Sequence, residues 1–216
     1  MNRYATMVSA LLMGALAVPA VHADSVTTYG AGLSSCWVYL HARDGSIVDE
    51  VGFIDWLGGY FSAVNRTSSH RNNFLGLADL KNVLERLDNN CRVRPALHVA
   101  EAANIVVLGA KPGPSAHAIE ATTYGSANKA CHAFVEAREQ KEAVYWAEFL
   151  HWLGGYLSGV NAMSLRTNNV LGTAELEDAV HWLDTFCSAH PQTSFEGAVE
   201  ALIAATGAAQ GGAPVR

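Results

Sequence analysis

The chain has 216 residues, half of them hydrophobic, with 14 Lys and Arg against 20 Asp and Glu and a net charge of −6. That acidic balance excludes nucleic acid as a favoured partner, since phosphate recognition needs a basic surface. Past the first 23 residues no run approaches 18 uninterrupted apolar residues, so no membrane span is expected in the mature form.

Met1 to Ala23 places Arg3 before an apolar run from Met7 to Ala20, then Val21-His22-Ala23. This is the pattern of a secretory signal peptide cleaved before Asp24, and it directs the protein to the periplasm. Cleavage removes one basic residue and no acidic one, leaving a charge of −7 and eight of the nine histidines. Those histidines charge as pH falls below about 6.

The mature chain is a tandem duplication. Phe53 to Asn65, FIDWLGGYFSAVN, recurs at Phe149 to Asn161 as FLHWLGGYLSGVN, with nine of thirteen positions identical. Upstream the offset is 95, as in Tyr29 and Tyr124, Cys36 and Cys131, or Arg43 and Arg138. From the core phrase onward it is 96, as in Asp88 and Asp184 or Cys91 and Cys187. The expected organisation is repeat 1 over 24–108, a linker rich in Pro and Gly over 109–120, repeat 2 over 121–205, and a disordered tail over 206–216. Four cysteines allow three pairings, and the repeat selects Cys36 with Cys91 and Cys131 with Cys187.

Within repeat 1, an irregular lead to Gly32 precedes a helix over 33–43, with Ser34 or Ser35 as N-cap and Asp44-Gly45-Ser46 as the stop. A second helix over 48–66 carries the core phrase. Ile54, Leu57, Phe61 and Val64 form its stripe, matched by Leu150, Leu153, Leu157 and Val160, and Trp56/Tyr60 and Trp152/Tyr156 stack on an adjoining face. So much of its circumference is apolar that it should be the most buried helix. Gly58-Gly59, repeated as Gly154-Gly155, costs helix propensity and points to close approach of another helix, the first or the third. A third helix over 77–90 turns Leu80, Val83, Leu84 and Leu87 inward, and its counterpart starts at Thr173. Pro95 and Pro191 precede a fourth helix, with Thr193 and Glu196 as a capping box in repeat 2. Repeat 2 has no turn signal between Arg138 and Glu148, so its first two helices either run together or kink. The fold class is all-α, two tandem, roughly four-helix domains stapled by disulfides, whose repeats pack on each other.

Catalytic signatures are weak. Gly155-Tyr156-Leu157-Ser158-Gly159 has its Ser one position late for a nucleophile elbow and lies within a helix. Gly30-Ala31-Gly32 is a partial dinucleotide fingerprint without a preceding strand, read as a flexible lead into helix 1. Glu148 and His151 have the spacing of a di-iron ligand pair, with His181 on another helix, but no second such pair exists, so a surface or helix-end histidine is expected at each. No catalytic residue, metal or cofactor is assigned. Repeated polar positions, Arg43/Arg138, Asn65/Asn161 and Asp88/Asp184, read as helix caps and loop ties. Two polar loops are candidate binding elements: one with Arg66, His70, Asn72 and Asn73, the other with Arg166, Asn168 and Asn169.

Cys36-Trp37-Val38-Tyr39-Leu40, a central helix ending in Ala-Val-Asn, and a second Cys closing helix 3 resemble the HdeA/HdeB acid-stress chaperones of the Gram-negative periplasm. The resemblance implies a small helical domain held by one disulfide that pairs as a dimer, here fused into one chain, binding unfolded proteins in acid. Gly154-Gly155-Tyr156 and His190-Pro191 are similar to the Tai/Rap immunity proteins, which implies inhibition of a peptidoglycan hydrolase delivered by type VI secretion. The expectation is a non-enzymatic protein-binding module of the chaperone kind, with the immunity protein as the alternative.

Overall fold

Helical periodicity dominates both copies of the repeat, and the structure, a computed structural model, is all-α. It describes residues 25–45, 47–67, 80–110, 121–140 and 143–209. Those residues form eight α-helices and no strand: α1 Cys36–Asp44, α2 Ile47–Thr67, α3 Leu80–Val93, α4 Val99–Leu108, α5 Cys131–Gln140, α6 Ala143–Met163, α7 Leu176–Ala189 and α8 Phe195–Ala209. Short 3-10 turns at Gly30–Leu33 and Gly125–Asn128 precede α1 and α5. Each begins on a glycine with positive φ, 62° at Gly30 and 66° at Gly125, where a side chain would be strained.

Local chemistry sets the helix ends. Ser35 is the cap of α1, its hydroxyl accepting from Val38 N. The α1 and α4 starts are tied together, Cys36 N donating to Leu97 O (2.7 Å) and Val99 N to Ser34 O (2.9 Å). The α5 and α8 starts repeat this, Cys131 N to Thr193 O (2.8 Å) and Phe195 N to Lys129 O (2.7 Å). Disulfides Cys36–Cys91 and Cys131–Cys187 then fasten the first helix of each repeat to its third.

Several boundaries differ from the sequence reading. The helix expected from Thr173 begins at Leu176, because Glu175 and Asp178 form a reciprocal capping box three residues later. In α8 the cap is Ser194, which accepts from Gly197 N, and not a Thr193–Glu196 pair; Glu196 is buried. The same helix continues to Ala209, four residues into the stretch read as tail. In repeat 2 the first helix ends at Gln140 and the second starts at Ala143. The signal segment, residues 111–120 of the linker and residues 210–216 of the tail lie outside the described residues.

The centre of the molecule is the crossing of α2 and α6, the two copies of the core phrase. Contacts climb both helices in the same sense: Gly52 against His151, Gly59 against Trp152 and Tyr156, Gly159 against Tyr60 and Ala63. The second glycine of each pair therefore serves the equivalent helix of the other repeat and the first faces that repeat's lead, and neither serves the first or third helix of its own repeat. A Cβ on Gly59 would lie 2.8 Å from Tyr156 N and closer still to the Trp152 carbonyl oxygen. On Gly155 it would lie 3.0 Å from Tyr60 N and closer to the Trp56 carbonyl oxygen. Only a bare backbone lets the axes come this near.

The lead of each repeat crosses the seam. Trp56 Nε1 donates to Tyr29 O in its own lead, and Trp152 Nε1 to Tyr124 O, both at 2.7 Å. The backbone N of Tyr29 donates to Ser158 Oγ of the other repeat, and that of Tyr124 to Ser62 Oγ, both at 2.8 Å. Asn161 Nδ2 reaches Thr27 O (2.9 Å), and Asn65 Nδ2 reaches Thr122 O (2.7 Å). The hydrophobic cores interlock accordingly: Tyr124, Ala162 and Met163 pack on the first, Tyr29 and Ala63 in the second.

Candidate functional site

Most repeated residues are consumed by this architecture. Trp56, Tyr60, Trp152 and Tyr156 are buried and stacked in pairs, ring centroids 5.1 and 4.9 Å apart, while Gly58 and Gly154 face the backbones of Tyr124 and Tyr29. Arg43 pairs with Asp88, and also with Glu50, while Arg138 pairs with Asp184, tying the first helix of each repeat to its third. The Gly30–Leu33 turn is no flexible lead-in: Gly32 is buried against the Trp56 indole, leaving no room for a side chain.

The candidate loops divide. Arg66 is tied to Glu200 on α8, an ion pair that joins the repeats. His70, Asn72 and Asn73 lie outside the described residues. Asn168 and Asn169 hold the lead of repeat 1: Thr27 N donates to Asn168 O (2.8 Å), and Tyr29 Oη to Asn169 Oδ1 (2.6 Å). Asn161 Oδ1 accepts from Val170 N (2.7 Å), fixing the far end of the same loop. Arg166 is exposed at its tip, beside Leu165, which is fully exposed.

An open surface remains where the N-terminal halves of α2 and α6 meet α1 and the turn before it. A groove of about 800 Å³ lies there, with Ala31, Val38, Val51, Phe53, Ala143, Val144 and Ala147 as its apolar lining. Val38, Val51 and Val144 remain exposed, and Leu33, Trp37 and Tyr145 on the adjoining elements add further exposed apolar side chains. Gly30, Ser34, Gly52, Asp55, Glu148 and His151 complete the lining. Both repeats contribute, so the groove belongs to the seam and would not exist on one repeat alone.

Its titratable groups are not equivalent. Asp55 is half-buried, and its Oδ2 is out of contact with solvent and without a hydrogen-bond partner. Burial pushes its pKa up to about 7, the Glu148 charge adds to the rise and Lys129 opposes it. His151, one of the helix-end histidines of the sequence reading, instead lies half-buried in the seam, close to Gly52, and burial holds its pKa below the ordinary histidine value. Glu148 is satisfied, its oxygens accepting from Ser126 Oγ (2.7 Å) and Lys129 Nζ (2.6 Å). His181 lies on α7, exposed, in a different part of the fold from Glu148 and His151.

Sequence reasoning missed the groove, although two of its signals were in the repeat alignment. Asp55 and His151 occupy matching positions, so each copy puts a titratable group on the groove; and Gly52 matches Glu148, so one copy has a gap where the other has a long side chain. Among the described residues no helix is long and apolar enough to cross a membrane, and the two disulfides fit an oxidising, exported location. Compared with known proteins, the chain matches no family model, no curated protein and no solved structure.

Proposed function

We propose that the protein is a non-enzymatic periplasmic module that binds unfolded polypeptides in acid, an acid-stress chaperone of the HdeA-like kind. The observation that carries this reading is the exposed apolar groove spanning the seam, with three titratable side chains lining it and a disulfide in each repeat. A polypeptide that has lost its fold presents apolar segments, and a groove of this lining takes them without sequence specificity.

Acid acts on the seam through groups of opposite sign. His151 has a folded pKa below its unfolded one, so its contribution is present above about 6.5 and is lost as pH falls. Asp55 has a folded pKa raised to about 7, so its contribution is full below about 4 and is lost as pH rises through 7. Between pH 7 and 4 the two oppose each other. Below about 4 Asp55 has nothing more to give, and the charge gained by His151 still weighs against the seam. Opening is therefore confined to strong acid, where the disulfides still hold each repeat.

The test is light scattering of a denaturing client at pH 3 and pH 7 with the oxidised full-length protein. Suppression of aggregation at pH 3 and little at pH 7 is expected; no suppression at pH 3 would sink the chaperone reading. One observation favours the second reading, a toxin-neutralising immunity protein: Leu165 stands fully exposed on a loop pinned at both ends, a form suited to entering an enzyme cleft. A pull-down at neutral pH that recovers one stoichiometric hydrolase, and loses it in Leu165→Asp, would decide for that alternative.

A further inference from the structure

The groove has a filled counterpart across the seam. At the positions matching Ala31, Ser34 and Gly52, the second repeat carries Ser126, Lys129 and Glu148. Those three side chains are bonded into one plug: Ser126 Oγ and Lys129 Nζ both donate to the Glu148 carboxylate, at 2.7 and 2.6 Å. The Lys129 ammonium also sits 5.4 Å from the ring centroid of Phe149. Phe149 matches Phe53, which lines the open groove. The first repeat thus keeps the aromatic wall and replaces each plug residue by a small one.

It also supplies a counter-charge. Asp55 lies three residues beyond Gly52 on the same face of α2, lines the groove, and has an oxygen without a hydrogen-bond partner. A buried carboxyl in that condition favours a cationic donor strongly, because the donor removes an unmet hydrogen-bonding demand as well as adding an ion pair. The chain's own lysine shows which donor fits beside the matching ring.

We propose that the groove receives a lysine side chain carried among apolar residues of another polypeptide, its aliphatic stem against Phe53 and its ammonium on the Asp55 carboxyl. This rests on the reading of the groove as a polypeptide-binding surface, and adds to it the residue that surface selects. The groups facing Asp55 are Glu148 and His151 from α6 and Lys129 from the turn before α5. Burial raises the pKa of Asp55, so an arriving ammonium must drive off its proton when pH lies below about 7. Lysine selectivity is therefore a neutral and alkaline property. It fades in acid, as Asp55 stays protonated and His151 gains charge, leaving only apolar contact.

The experiment is fluorescence anisotropy with the intact oxidised protein and a labelled, end-blocked peptide of leucine, lysine, phenylalanine and leucine. An otherwise identical peptide with norleucine for lysine is the control. At pH 8 the lysine peptide should bind about tenfold tighter, the range of a hydrogen bond to a charged group. The ratio should fall to about one at pH 5, and to about one at pH 8 in the isosteric Asp55→Asn. Ser34→Lys installs the plug residue at a partly exposed position and should weaken both peptides at least tenfold, with an unchanged circular dichroism spectrum. Equal binding of the two peptides at pH 8 overturns the lysine selectivity while leaving the groove reading intact. No binding of either peptide at pH 8 overturns the lysine site, no binding at pH 3 as well overturns the groove reading, and binding indifferent to Ser34→Lys removes the groove as the site.

Discussion

Gly58 and Gly59 are adjacent, both buried, and both interior to α2, yet alanine should act on them with opposite signs. A Cβ on Gly58 would sit 3.7 Å from the Tyr124 backbone, an ordinary contact. Gly58→Ala should therefore gain helix propensity at no steric cost, about 0.8 to 1 kcal/mol. A Cβ on Gly59 would lie 2.8 Å from Tyr156 N and 2.9 Å from the Trp152 carbonyl carbon, with its oxygen nearer still. Carbon and oxygen rest about 3.3 to 3.6 Å apart at their closest weakly bonded approach, so α6 must retreat by the better part of an ångström or more. The obstacle is backbone in the middle of a buried helix, which cannot swing aside as a side chain does. Overpacking costs about 1 to 3 kcal/mol, and against rigid backbone it belongs at the upper end, so after the propensity gain Gly59→Ala should be destabilising by about 2 kcal/mol.

For a chain of this size 1 kcal/mol corresponds to about 2 to 4 °C in Tm. Thermal unfolding by circular dichroism at pH 7 should then show a raised Tm in Gly58→Ala and a Tm lowered by about 4 to 8 °C in Gly59→Ala. Gly154→Ala and Gly155→Ala should repeat the pattern, since a Cβ on Gly154 would lie 3.5 Å from Tyr29 O and one on Gly155 2.8 Å from the Trp56 carbonyl carbon. If Gly59→Ala and Gly155→Ala melt as high as their neighbours, the α2–α6 crossing is not where these distances put it.

Two further outcomes follow from the same geometry. Each disulfide closes a loop with a sequence separation of 55 or 56 residues, worth about 4 kcal/mol in the chain-entropy model; Cys36→Ala with Cys91→Ala should lower stability by roughly that amount, read by urea titration, and an unchanged midpoint would count against the model. Asp55→Asn should leave stability unaltered near pH 4 and raise it progressively above wild type between about pH 4 and 7, levelling off toward pH 8, because the unfolded carboxyl ionises from about 4 while the folded one holds its proton to about 7; a constant difference across that range would refute the assigned titration.

Periodicity made the helices legible, since apolar residues at spacings of three and four have one stable disposition. The central position of α2 and α6 was legible too, because their apolar residues cover most of the circumference. What pattern could not supply was the partner of each face. Gly58-Gly59 announces a close approach without saying to which helix, and the hydrogen bond from Tyr29 N to Ser158 Oγ joins residues 129 apart with no periodic trace. Asn65 and Asn161 read as helix caps and loop ties, and Ser62 and Ser158 lie within the core phrase; the hydrogen bonds of all four to leads of the opposite repeat emerge only with the chain folded. The groove was hidden for a different reason: it is made by small residues, and the absence of a side chain carries little signal unless a filled copy stands beside it.

The placement of charge along the seam determines how acid can act on it. The ionisable side chains sit toward the two ends of the α2–α6 pair, with Asp55, Glu148 and His151 before the glycine crossing and Arg66–Glu200 beyond it. The middle is held by neutral contacts: the glycine backbones and the Ser and Asn hydrogen bonds to Tyr29, Thr27, Tyr124 and Thr122. Protonation alters none of these. Acid should accordingly loosen the ends of the seam while the crossing and the two leads persist, and the repeats should remain joined well below the pH at which the groove end opens. Hydrogen exchange at pH 3 tests this directly, comparing the amides of Tyr29 and Tyr124 with those of residues 51–55 and 147–151 after correction for intrinsic rates. Slow exchange in the leads with fast exchange at the groove end is expected. Leads that exchange as fast as the groove end would mean that the repeats part as a whole, and that the neutral bonds across the middle do not hold the seam.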